Sequence, residues 1–178
     1  MGLYAPKTWT NGVDVLDKTN LEHLETQYDL AITIVRKTAD QTVNNSTVLV
    51  NDTHLLLPIA ANEEWVFHLT LYIKNADGSG TPDFKFQFTV PALASIEYVY
   101  VGLNAAAAMA HQYSPNWAGV AAVLTVDVAN AIRVITIDGL VQAGANAGNV
   151  QLQWAQNVAN ASDTNLKAGS CLIAHQLD

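Results

Sequence analysis

The sequence predicts an all-β protein: an antiparallel sandwich or barrel preceded by a short N-terminal arm and helix. Three observations carry that prediction. The first is strict alternation. In residues 149–156, Val150, Leu152 and Trp154 alternate with Gln151, Gln153 and Ala155, and a period of two puts one set on each face of a strand. Phe84, Phe86, Phe88 and Val90 repeat the pattern against Lys85, Gln87 and Thr89, and Trp65, Phe67, Leu69, Leu71 and Ile73 repeat it again. The second is spacing, because about eight to ten such runs follow one another at short intervals, as in sandwiches and barrels. The third is the Asn, Gly, Asp and Pro punctuation between them.

Composition narrows the class of partner. The chain has 178 residues, enough for one domain plus an appendage that buries roughly 70% of its unfolded surface without a covalent staple. Charged residues make up 13% and apolar residues 50%, against about 25% charged in an average soluble domain. So few charges leave part of the surface for other subunits to cover. The net charge of −8 argues against nucleic acid, which demands a basic footprint to displace counterions. Arg36-Lys37 is the one adjacent basic pair. The lone Cys171 excludes an internal disulfide and a cysteine-based zinc site. Its neighbours Leu172 and Ile173 suggest a small buried apolar side chain. The first residues lack the apolar core of a signal peptide, Pro6 stands where a myristoylation motif wants Ser or Thr, and no apolar run reaches membrane-spanning length. The expectation is a protein made in a cytoplasm, with no membrane partner. Asn44, Asn45, Asn51 and Asn160 each open an Asn-x-Ser/Thr triplet, read here as turn chemistry and not as glycan acceptors.

Taken in order, residues 1–18 look irregular, with Tyr4 and Trp9 as arm aromatics that need a surface to bury against. Residues 19–30 predict a helix. Thr19-Asn20-Leu21-Glu22 fits the capping box, in which the Thr hydroxyl accepts from the N–H three residues on and the Glu reaches back. Leu21, Leu24 and Tyr28 then share one stripe. Isolated, so short a helix is marginal, so the stripe must dock on something. Domain boundaries follow: 1–30 an anchoring arm and helix, 31–178 the β domain. Within that domain, residues 32–37 predict a strand, and 39–47 a polar loop turning at Asn44-Asn45. Residues 48–50 and 55–59 predict short strand pieces bent by Asn51-Asp52 and Pro58. Long strands over 65–73 and 84–90 predict a hairpin around the loop 75–82. A strand over 96–101 leads into an irregular insertion, 102–119, with a helical turn at 105–110 and Met109, His111, Tyr113 and Trp117 at its tip. Strands at 121–128 and 131–141, the latter bent or bulged at Asp138-Gly139, precede a turn at 143–148, the strand 150–156, a polar loop and a last strand at 170–175.

No chemistry is laid across these strands. The histidines are His23, His54, His68, His111 and His175, and no two are spaced i, i+2 or i, i+4, so local metal spacing is absent. His68 alternates with Val66 and Thr70 on the polar face of its strand, as a surface or interface histidine does. Glu63-Glu64 precedes a strand as a solvated turn. Asp14, Asp17, Glu22, Glu25 and Asp29 cluster around the helix, where capping and solvation explain them. The sequence has no nucleophile elbow, phosphate loop or dinucleotide motif. The expectation is a non-enzyme with no cofactor and no metal. Met109, His111, Tyr113 and Trp117 are candidates for a receptor or partner contact, since loop aromatics anchor sugars and proteins.

Two stretches carry a resemblance. Trp9-Thr-Asn-Gly-Val-Asp-Val-Leu-Asp-Lys-Thr-Asn-Leu-Glu-His-Leu-Glu resembles the N-terminal Trp-x-(Asp/Asn)-Gly…Leu-Asn-x-x-Glu module of many phage tail and structural proteins, with Asn-Leu here in place of Leu-Asn. From Arg36 to the end, Thr38-Ala-Asp-Gln-Thr-Val43, Asn51-Asp-Thr-His-Leu-Leu-Leu-Pro-Ile-Ala-Ala-Asn62, Phe84-Lys-Phe-Gln-Phe-Thr-Val-Pro-Ala92, Val150-Gln-Leu-Gln-Trp-Ala-Gln-Asn157 and Leu166-Lys-Ala-Gly-Ser-Cys-Leu172, in that order, are similar to a set of small phage structural proteins with a β-jelly-roll domain. The resemblance implies a jelly roll, which alternation alone does not separate from an immunoglobulin-like sandwich. It also implies a virion location and a homotrimer. A capsid decoration protein is the first expectation, because the predicted helix runs almost directly into the strands and leaves no fibre shaft. Its arm (Tyr4, Trp9, Leu21, Leu24, Tyr28) would dock on the major capsid protein or another virion protein. The runner-up is a tail, baseplate or fibre-tip protein that binds a host receptor through the 102–119 insertion. A third reading, a glycan-processing tail enzyme, requires a carboxylate pair across a cleft.

Overall fold

Alternation becomes burial on every long strand. Trp65, Phe67, Leu69, Leu71 and Ile73 are buried, and so are Phe84, Phe86 and Phe88, and Val150, Leu152 and Trp154. The computed structural model describes residues 32–76, 83–103, 109–114, 122–124 and 131–177. Twelve strands run through them: β1 (Ile32–Arg36), β2 (Gln41–Val43), β3 (Val50–Ile59), β4 (Glu64–Asn75), β5 (Phe84–Thr89), β6 (Ser95–Leu103), β7 (Met109–Ser114), β8 (Ala122–Leu124), β9 (Arg133–Gln142), β10 (Gly148–Gln156), β11 (Thr164–Leu166) and β12 (Cys171–Leu177). Among the described residues there is no helix. The helix expected over residues 19–30, and the whole arm, lie outside them.

The described strands form two sheets whose pairs are all antiparallel. The larger sheet has the order β1-β12-β4-β9-β6-β7, with β11 beside β4 and β2 beside β11; the smaller has the order β3-β10-β5-β8. Their inner faces meet in one core, and rings cross between the sheets. Phe88 meets Phe67 with ring centroids 5.6 Å apart and Tyr98 at 5.2 Å, and Phe86 meets Tyr100 at 5.5 Å. Edge-to-face pairs of this kind add about 0.5–1.5 kcal/mol each to the gain from burying the rings. Burial also pushes the Tyr98 phenol well above its ordinary range and raises that of Tyr100.

Several expectations change. β4 and β5 do not form a hairpin: β4 lies in the larger sheet between β12 and β9, and β5 in the smaller between β10 and β8. Both strands are apolar on one face only, so placing them on opposite sheets lets those faces meet. The two pieces expected at 48–50 and 55–59 are one strand, β3. Pro58 sits inside it without breaking it, because β3 is the edge strand of its sheet and a missing N–H is tolerated there. The irregularity lies instead between Asn51, opposite Gln153, and Leu56, opposite Gln151. There Asp52, Thr53, His54 and Leu55 bulge out opposite Leu152. Asn51, read as turn chemistry, is a strand residue, whereas Asn45 does turn the chain, with φ 47°, and Asn160 accepts from the N–H of Ser162 at 2.7 Å.

Gly139 is neither bulge nor bend, since its register with Phe67 on β4 and Tyr98 on β6 is unbroken. It is required for space. A Cβ there would stand 2.5 Å from the Phe67 ring and 2.7 Å from the Glu97 carbonyl oxygen. The expected helical turn at 105–110 does not extend to Met109 and Ala110, which lie on β7 paired with β6. Cys171, expected to be buried, is half-buried, because its place in the register, between Arg36 and Thr70, is on the outer face of the larger sheet.

Candidate interaction surface

The two outer faces of the sandwich differ in chemistry. On the smaller sheet, Asn51, Gln153 and Gln87 stand side by side on β3, β10 and β5. Gln87 donates to Gln153 at 2.6 Å, and Gln153 donates to Asn51 at 2.7 Å. Gln151 donates to the backbone carbonyls of Leu152 at 2.9 Å and Asp52 at 3.1 Å. Asn51, Gln153 and Gln87 thus form a three-residue amide ladder across this face.

The outer face of the larger sheet sets exposed apolar side chains among polar ones. Cross-strand pairing lays Ile32, His175, Val66 and Leu140 in one row and Ile34, Ile173, His68 and Asp138 in the next. Ile34 is 66% exposed and Ile173 44%, while Ile32, Val66 and Val134 also stand open. His68 faces outward, as its phase on the strand predicts. It pairs through Nδ1 with Asp138 at 2.6 Å and through Nε2 with Thr70 at 3.1 Å. A shallow hollow lies between Val66, His68, Asp138, Ile173 and His175. Held at both ring nitrogens, the imidazole has a fixed orientation on the open face of the sheet.

A third feature, absent from the sequence reading, sits at the bulge of β3. Lys37 and Asp52 are both 0% exposed and their Nζ and Oδ2 atoms are 2.7 Å apart. The ammonium also donates to Gln41 Oε1 at 3.2 Å and Thr53 Oγ1 at 3.4 Å, so all three of its hydrogens have acceptors. The other carboxylate oxygen accepts the backbone N–H groups of His54 at 2.9 Å and Leu55 at 2.7 Å. Gln41 grips both sides of the bulge, accepting from Thr53 N–H at 3.0 Å and donating to the Asn51 carbonyl at 2.9 Å. The phase of β1 held the signal. Ile32, Ile34 and Arg36 point out, which sends Thr33, Val35 and Lys37 inward, the reverse of what the isoleucines suggest. Nearby, Lys167 and the Ala168 N–H hydrogen-bond Asp40 and hold its carboxyl below the usual range.

The remaining candidates fall as follows. Tyr4, Trp9, Leu21, Leu24, Tyr28 and Trp117 lie outside the described residues. Met109, His111 and Tyr113 lie on strand β7, opposite Leu103, Val101 and Val99 of β6, and not on an irregular tip. Strand pairing, not loop geometry, therefore spaces these three. Glu63, read as a solvated turn, accepts from the Ala60 N–H at 2.7 Å and from the Trp65 indole at 3.0 Å. Among the described residues, no group of three or more His, Cys, Asp or Glu stands together as metal ligands do.

No protein-family model matches the chain, and no curated protein matches it. Among solved structures, it is similar to the CBM22-1–GH10 modules of Clostridium thermocellum xylanase 10B complexed with xylohexaose, at TM-score 0.34 and 11% identity over 83% of this chain and 25% of that one. The structure of infectious bursal disease virus, Gt strain, matches at TM-score 0.21 and 6% identity over 82% and 37%. The tripod (BppUct-A-L) from the baseplate of bacteriophage Tuc2009 matches at 0.29 and 7% over 97% and 74%. This chain thus spans about a quarter and about a third of the first two. TM-scores of this size decide neither fold family nor function.

Proposed function

We propose that this chain is a non-enzymatic structural protein of a bacteriophage virion, a homotrimeric capsid decoration protein built on a jelly roll. The observation that carries the fold half of this reading is the strand order. Strands β3 to β10 divide into β3-β10-β5-β8 on one side and β4-β9-β6-β7 on the other. A jelly roll has eight strands in two Greek keys, split between two such sheets. The virion half rests on the ordered resemblance of the residue 51–62, 84–92, 150–157 and 166–172 segments to small phage jelly-roll proteins. Low charge and the exposed Ile32, Ile34, Val66 and Ile173 support an assembled protein over a solitary one. Three ion pairs among the described residues join parts of the domain to one another: Lys37 with Asp52, Lys167 with Asp40 and His68 with Asp138.

In this reading the domain projects from the particle, and the arm, with Tyr4 and Trp9, holds it there. Deleting residues 1–30 is expected to leave a folded domain and to reduce its incorporation into particles by at least about tenfold, the loss of a few buried aromatic anchors. Incorporation at the full-length level, measured by quantitative mass spectrometry of purified particles, would show that the arm is not the anchor.

A further inference from the structure

Three loops, residues 60–63, 91–94 and 143–147, meet at one end of the sandwich. The Asn62 N–H donates to the Gly144 carbonyl at 2.9 Å, and the Ala143 N–H to the Glu63 carbonyl at 2.7 Å. The Asn146 amide donates to the Ala92 carbonyl at 3.1 Å. Alanine, glycine, asparagine and proline make up most of these loops, and Glu63 is their one ionisable residue. Its carboxylate is turned onto the Ala60 N–H and the Trp65 indole.

Leu93 stands out at this end. Residues 91–94 make a tight turn, closed by the Ala94 N–H donating to the Pro91 carbonyl at 3.1 Å. Leu93, the third residue of the turn, has φ 69°, where such a turn takes Gly or Asn. A leucine there is strained, because in the left-handed backbone Cβ crowds the following carbonyl. Its side chain is 81% exposed, more than any other large apolar side chain among the described residues. The turn is seated tightly on the 143–147 loop: a Cβ on Gly144 would stand 2.5 Å from the Leu93 carbonyl oxygen. In a solitary domain a leucine here carries two costs, strain and exposed apolar area. Burial against a partner removes the second.

We infer that this end of the sandwich is where copies of the chain meet, with Leu93 as the anchor. Charge selects a second copy as the occupant. Each chain carries a net charge of −8, so copies repel one another and meet best where free charge is absent. These loops supply such a surface, since their single carboxylate is already bonded within the chain. The inference rests on the homotrimer of the proposed function and names the surface that builds it.

The test is the assembly of the purified full-length chain, followed by sedimentation equilibrium over a dilution series. Asn and Asp both suit the left-handed backbone, so Leu93→Asn and Leu93→Asp keep the turn and remove the apolar side chain. The concentration at which half of the chains are assembled is expected to rise about tenfold for Leu93→Asn. It rises further for Leu93→Asp, and salt at about 1 M narrows the gap between the two by screening. Near-ultraviolet circular dichroism of both variants is expected to match the parent, as intact packing requires. An assembled parent whose midpoint neither variant moves overturns the inference and leaves the homotrimer to another surface. A parent that stays monomeric at every concentration overturns the inference and the homotrimer together.

Discussion

Lys37→Met is expected to destabilise the domain by about 3–5 kcal/mol, the cost of leaving a buried charge without its partner. Asp52 is fully buried and would keep only the His54 and Leu55 N–H groups on one oxygen. Total stability of a domain is about 5–15 kcal/mol, so the loss is a large part of the whole. Asp52→Asn is expected to cost a similar amount from the other side, stranding the ammonium with Gln41 and Thr53. Replacing both residues at once, as Lys37→Met with Asp52→Leu, removes the two charges together, yet stability returns only in part. The two backbone N–H groups of the bulge then have no acceptor, each at about 1–3 kcal/mol. Urea midpoints of the three variants check this. A Lys37→Met midpoint within error of the parent would show that the pair does not hold the β3 bulge.

Trp154→Ala carries the second large effect, about 3–5 kcal/mol for deleting a buried indole from a packed core. Trp154 is wholly buried on the central strand β10, and its ring stacks on Phe84 with centroids 5.6 Å apart and planes inclined at 25°. Its indole N–H has no hydrogen-bond partner among the described residues. The loss is thus one of packing, with no polar contribution to recover, and Trp154→Phe should cost less than half as much. For a domain of this size the alanine variant's thermal midpoint falls by about 6–20 °C. A fall of less than about 3 °C by calorimetry would mean that Trp154 is not central to the core.

These two sites were unequally legible. Trp154 was visible at once, because Val150, Leu152 and Trp154 keep one phase and the core simply takes that face. The same holds for β4 and β5, whose buried sets were right even where the hairpin was not. Hairpin pairing is a choice between local and distant partners. Alternation is silent on that choice, since it fixes which face is buried and not which strand lies alongside. Lys37 and Asp52 were hidden for a different reason. Lys37 follows from continuing the phase of β1 only if one accepts two exposed isoleucines ahead of a buried lysine, against the usual preference. Asp52 then bonds backbone groups within its own bulge, a local arrangement that short carboxylate side chains favour. The β7 strand was missed because the alanines at 105–108 just before it, with Ala110, read as helix by propensity. Pairing with β6 overrides that preference.

The contrast between the outer faces was half legible. The glutamines of β10 announced a polar face, and the structure adds that Gln153 bonds Gln87 of β5 and Asn51 of β3. The exposed apolar side chains on the larger sheet were not announced by any one strand. Ile34, Val66 and Ile173 come from three segments far apart in sequence and form a patch only once β1, β12 and β4 lie side by side.

The central claim is that this is a decoration protein of a phage capsid, and the number of copies per purified particle tests it most directly. Quantitative mass spectrometry against the major capsid protein is predicted to give on the order of hundreds of copies in a multiple of three, the stoichiometry of trimers repeated over an icosahedral lattice. A few to a few tens of copies would contradict it. That count would move the protein to the tail, with Met109, His111 and Tyr113 on β7 as the first residues to alter.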